Sequence, residues 1–81
     1  MSNCKYIMYA NGEYLLFPAF MTHKNVAERY SRLIMPVTAG FVNFDIEGNE
    51  VKISTDGESV SLKLKSDPND AKMMNWMTRQ F

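Results

Sequence analysis

His23 is the single histidine in this chain of 81 residues and the first place to look for acid–base chemistry, because imidazole titrates near neutrality. The residues around it do not supply the rest of a catalytic set. No serine or cysteine sits in a nucleophile elbow or a family-specific cysteine motif, so His23 has no evident nucleophile to activate. On a helical wheel it falls on the apolar side near a helix start, which points to a structural residue. Cys4 is the one cysteine; no intrachain disulfide can form, and one cysteine with one histidine cannot complete a usual structural zinc set. Asp67, Asn69 and Asp70 are acidic enough for calcium, yet they lack the glycine turn and downstream glutamate of an EF-hand loop. Helix capping explains them fully. Gly12, Gly40, Gly48 and Gly57 match neither phosphate-loop spacing. No catalytic, metal or cofactor residue is expected, and the chain is read as a non-enzyme.

Two sets of residues remain that suit a macromolecular partner. Lys24, Arg29 and Arg32 share the exposed face of the first helix, where cations can hold phosphates while nearby tyrosines stack on unpaired bases. Glu28 interrupts that face. Nine Lys and Arg against nine Asp and Glu leave no net attraction for a polyanion, so nucleic-acid binding is the alternative rather than the favoured reading. Protein binding is favoured. The first hairpin carries more aromatic surface than one small sheet face hides, and Tyr and Trp are preferred contact residues. Tyr9, Tyr14 and Trp76 are the expected interaction residues, with a homodimer through the first hairpin as one outcome. Met73, Met74 and Met77 suit either an adaptable surface or a core.

The elements that must position these groups can be read from turn signals and apolar periodicity. Asn11-Gly12 joins Lys5–Ala10 to Glu13–Phe17; as a two-residue loop it sets Tyr9 opposite Tyr14 and Tyr6 opposite Phe17. Both faces of that hairpin carry large apolar groups. Pro18 ends its second strand. Thr22 caps a helix from about His23 to Leu33, with Val26, Ala27, Tyr30, Leu33 and Ile34 on one face, and Pro36 closes the segment. Gly48-Asn49 and Asp56-Gly57 then predict a three-stranded meander over Val42–Leu64. Its first loop pairs Ile46 with Val51, Asp45 with Lys52 and Phe44 with Ile53. Its second pairs Ile53 with Val60, Val51 with Leu62 and Glu50 with Lys63. Apolar meets apolar and acid meets base in both ladders. Asn43, Asp45, Lys52, Ser54, Ser59, Ser61 and Lys63 form a wet face. Gly40 marks a bulge or a close backbone approach. Asp67 as cap, Pro68 at the first helical position and Asp70 three residues after the cap open a final helix.

The order is ββ-α-βββ-α, which reads as α+β: an antiparallel sheet with two helices packed on one face. The length allows one domain over residues 1–81, and 46% hydrophobic with 22% charged residues describes a folded chain. No apolar stretch approaches the roughly 20 residues that cross a bilayer, and no signal peptide is evident. A cytoplasmic protein without membrane contact is expected, and a lone thiol fits that reducing compartment.

Several segments taken together carry a resemblance: Phe17-Pro18, His23 with Ala27, Thr38-Ala39-Gly40-Phe41-Val42, Ser59-Val60-Ser61-Leu62, and Ser66-Asp67-Pro68-Asn69-Asp70-Ala71. The arrangement resembles short uncharacterised proteins encoded by bacteriophages, prophages and their hosts, which tend to show a Ser-Ala-Gly-Phe-type segment, a Ser-x-Ser-Leu strand and a Pro-x-Asp helix start. Thr38 stands where serine is commoner. That family has no established activity, so the resemblance implies no catalytic residues. It implies an accessory protein that binds and modulates or inhibits a host protein, such as a component of a defence system.

Overall fold

A computed structural model describes residues 3–30 and 33–79, and the side chains of 4–30 and 33–75. Strands β1 (Asn3–Tyr9) and β2 (Tyr14–Pro18) form the first hairpin, followed by helix α1 (His23–Tyr30) and the strands β3 (Pro36–Glu47) and β4 (Glu50–Asp56). Two short strands, β5 (Glu58–Ser59) and β6 (Leu64–Lys65), lead to helix α2 (Pro68–Arg79). The main sheet is four-stranded and antiparallel, in the order β2-β1-β3-β4, and β5-β6 form a separate two-stranded ribbon. The protein is therefore α+β, and its first hairpin joins the same sheet as β3 and β4.

The β3–β4 ladder has the expected register. Gly48, at φ +62°, sits in the two-residue turn, and Phe44 faces Ile53, Asp45 faces Lys52 and Ile46 faces Val51. The first hairpin is shifted by one residue: Met8 faces Tyr14, Ile7 faces Leu15 and Tyr6 faces Leu16. Its turn explains the shift. The Gly12 N–H donates to the Tyr9 carbonyl at 2.9 Å and the Tyr9 N–H to the Glu13 carbonyl at 2.8 Å. With Gly12 at φ +89°, this is a three-residue loop closed by a bulge, an alternative that Asn-Gly serves as well as the two-residue turn.

The third meander strand does not form. Residues 60–63 are a turn between β5 and β6, so the expected pairings of Val60, Leu62 and Lys63 with β4 are absent. Ser59 supplies the competing hydrogen bond. Its side chain is buried and its hydroxyl accepts the Leu62 N–H at 3.2 Å, while the Lys63 N–H reaches the Val60 carbonyl at 3.3 Å. Serine hydroxyls compete with sheet ladders in this way and favour turns. Ser59 thus leaves the expected wet face, whereas Asp45, Lys52 and Ser54 on the main sheet are exposed.

Side chains along β1 alternate between two apolar clusters. Ile7 and Tyr9 pack with Phe17, Ala39 and Ala27 of α1; Tyr6 and Met8 pack with Val42 and Met74 of α2. Opposite faces of a strand cannot meet one layer, so the helices cover the two faces of the sheet and do not share one. The run Tyr6-Ile7-Met8-Tyr9, buried throughout, is what a central strand covered on both sides requires. Gly40, opposite Tyr6, is a close backbone approach: a Cβ built there would lie 2.6 Å from the Asp56 carbonyl oxygen and 2.9 Å from the Ser66 Cβ.

Candidate functional site

Thr22 opens α1 as expected, with its hydroxyl accepting the Asn25 N–H at 3.2 Å. The next residue, His23, is turned under the helix and is buried against the sheet. Its Nε2 lies 3.0 Å from the Gly40 carbonyl oxygen, which can only accept, so Nε2 carries the proton in the neutral ring. The ring meets Phe17 and Phe41 edge-on, at centroid distances of 5.4 and 6.2 Å. Burial lowers its pKa and the nearby Lys5 charge adds to the effect, partly opposed by hydrogen bonding to the Gly40 carbonyl.

A shallow cavity of about 260 Å³ opens beside His23, lined among others by Lys5, Phe41, Glu58 and Ser61. Lys5, Phe41 and Ser61 have structural partners. The Lys5 ammonium donates to the Met21 carbonyl at 2.9 Å and stands 5.9 Å from the centre of the Phe41 ring; the Ser61 hydroxyl accepts the Lys24 N–H at 3.2 Å. Through its bond to the Gly40 carbonyl, His23 ties α1 to the sheet. Burial raises the pKa of the Cys4 thiol, which keeps it protonated and weakly nucleophilic. Among the described residues no group of three or more His, Cys, Asp or Glu could hold a metal ion. Nor is any helix there long and apolar enough to cross a membrane.

Beneath α2 lies a polar knot that the sequence pattern assigned only to capping. Asp67 accepts the Asn69 N–H on its Oδ1 at 2.9 Å, an N-cap contact. Asp70, three residues further on, is buried. Its Oδ2 accepts the Tyr6 and Thr38 hydroxyls, both at 2.6 Å, and the Tyr6 oxygen in turn accepts the Asp67 N–H at 3.2 Å. A capping box normally links the third helical residue to the cap N–H directly; here the Tyr6 hydroxyl is inserted between them. Burial, followed by the hydrogen bond to Asp70, pushes the Tyr6 phenol up to about 12. The knot pins α2 to the sheet.

The expected interaction residues are dispersed. Tyr9 is 1% exposed, its ring 5.0 Å from that of Tyr30, so it belongs to the core and presents no surface. Tyr14 is half-buried on the opposite face, across from Met8 of β1. Trp76 falls within α2, and its side chain lies outside the described residues. Lys24 and Arg29 are exposed on α1 with Glu28 beside them, and Arg32 lies outside the described residues. What the sequence reading missed is a groove of about 510 Å³ between α1, the connection into β3 and the 60–63 turn, lined by Ala27, Leu33, Ile34, Met35, Pro36 and Leu62 among others. Leu33 was expected on the buried face of a longer helix. With α1 ending at Tyr30 it is 96% exposed, and Met35 is 72% exposed. The apolar run Leu33-Ile34-Met35 ahead of Pro36 was the available signal. No family model, curated protein or solved structure matches this chain.

Proposed function

We propose that this chain is a non-enzymatic binding protein, an accessory factor of the phage or mobile-element kind that its motifs resemble, which docks on a host protein and modulates or inhibits it. The observation that supports this reading is the groove beside α1, where Leu33 and Met35 stand in water at the mouth of an apolar cleft. Fully burying one such side chain is worth about 1.5–3 kcal/mol, so leaving both exposed forgoes stability that a docked partner would recover. Contiguous exposed apolar groups rimmed by charge, here Lys24 and Glu28, are characteristic of protein contact sites. On this reading the protein works in the host cytoplasm. A component of a defence system is one target class that the resemblance implies.

Affinity capture from host lysate, run in parallel with the wild type and a Leu33→Ser, Met35→Ser variant, tests the proposal. Both substitutions lie on exposed positions and leave the two clusters intact, so circular dichroism should be unchanged. A host protein retained by the wild type and lost by the variant is the expected result. Identical retention by both, or no retention, would refute the groove as the binding surface. A nucleic acid retained with an affinity that falls steeply with salt would favour Lys24 and Arg29 instead.

A further inference from the structure

A four-stranded sheet has two edges, and this protein treats them differently. At β4, Ile53 faces Phe44 in a position whose backbone groups point away from β3. Asn75 of α2 answers both of them: its Oδ1 accepts the Ile53 N–H at 3.2 Å and its amide donates to the Ile53 carbonyl at 3.1 Å. At this position the side-chain amide stands in for a neighbouring strand. The β2 edge has no such cover. From the Tyr9–Glu13 bond the ladder alternates, so Ile7–Leu15 and Lys5–Phe17 bond inward while Tyr14 and Leu16 turn their N–H and C=O groups outward. Among the described residues those outward groups have no backbone partner.

We infer that a second copy of this chain occupies that edge, with β2 pairing antiparallel to its own symmetry mate about a two-fold axis at Leu15. In this register Tyr14 of one copy faces Leu16 of the other, and each pair exchanges two backbone hydrogen bonds, four in all. The side chains agree with the backbone. Leu15 meets Leu15 on the α1 face, and Tyr14 meets Leu16, which is 45% exposed in the monomer, on the α2 face. Glu13 falls opposite Phe17, so no like charges oppose each other, and no lysine guards the centre of the strand as edge protection would require. Pro18 lacks an N–H and its carbonyl already accepts the Met21 N–H at 3.1 Å, which disfavours the register that would pair it with Tyr14. The pair is a continuous eight-stranded sheet with both α1 helices on one side. This surface is separate from the groove and does not depend on it.

Sedimentation of the wild-type chain should show a concentration-dependent monomer–dimer equilibrium, and amide exchange at Tyr14 and Leu16 should slow as the dimer fills. Leu16→Lys should raise the dimer dissociation constant at least about tenfold without altering the circular dichroism. Register is read by disulfide trapping in a Cys4→Ala background. Leu15→Cys should cross-link to its mate, since facing residues lie within disulfide reach, whereas Leu16→Cys, offset by two residues from its mate, should not. The reverse trapping pattern would overturn the register. A chain that stays monomeric with fast exchange at both amides would overturn the dimer. A dimer that ignores Leu16→Lys but dissociates on Leu33→Ser would move the interface to the groove and overturn the inference as well.

Discussion

Tyr6→Phe isolates the contribution of the knot beneath α2. The ring is fully buried and phenylalanine fills the same space, so the change removes an oxygen and opens no cavity of consequence. Two bonds are lost. The 2.6 Å bond to the Asp70 carboxylate is charge-assisted and worth about 1.5–3 kcal/mol, and the 3.2 Å bond from the Asp67 N–H is worth about 0.5–1.5 kcal/mol. Asp70 keeps the Thr38 hydroxyl, so the carboxylate is not stripped bare. The expected cost is about 2–4 kcal/mol, measured by urea denaturation at neutral pH with an unchanged slope. For a domain of this size, that lowers the melting temperature by roughly 10–30 °C. Thr38→Val should cost less, and because both hydroxyls meet the same oxygen the double change should depart from the sum by at least about 0.5 kcal/mol. The wild-type phenol should also resist ionisation until about pH 12 in an ultraviolet titration of the folded protein. A cost below about 0.5 kcal/mol for Tyr6→Phe would show that the knot is a by-product of packing and that α2 is held by Met74 and its neighbours alone.

Gly40→Ala should cost about 1–3 kcal/mol or prevent folding, because the new methyl group would stand 2.6 Å from the Asp56 carbonyl oxygen, a backbone atom with no rotamer to yield; native-like thermal stability would refute the close approach. Burial holds the His23 pKa below its ordinary value of about 6.5, so between the two pKa values the unfolded chain binds a proton that the folded chain excludes. Stability should therefore be full above about pH 6.5 and decline as the pH falls below it, and His23→Gln should flatten that slope in denaturation curves taken from pH 7 to 5. The buried Tyr9 hydroxyl has no hydrogen-bond partner among the described residues, so Tyr9→Phe should leave the melting temperature unchanged or raise it, whereas Tyr9→Ser should cost about 3–5 kcal/mol by emptying the core.

Local signals determined much of this protein. Gly48-Asn49 with matched pairs on either side set the β3–β4 register, Thr22 and Asp67 set the two helix starts, and Gly40 announced a close approach. Each rests on interactions within a few residues or across one tight turn, so the chain carries them in its own pattern. Tertiary structure decided the rest, wherever two local outcomes were nearly equal. Asn11-Gly12 serves a two- or a three-residue loop, and the one-residue difference selects the face on which Tyr9 and Tyr14 fall; packing of Tyr9 among Ile7, Phe17 and Ala27 selects the longer loop. Val60 to Lys63 alternate well enough for a strand, yet a buried Ser59 hydroxyl bends them into a turn that moves Leu62 and Leu64 to the α1 cluster. That Asp70 meets Tyr6, that Asn75 binds the outward backbone groups of Ile53, and that Leu33 stands at a groove depend on contacts between residues far apart in the chain. A periodicity of two or of 3.6 says which side chains share a face, but not what that face will meet.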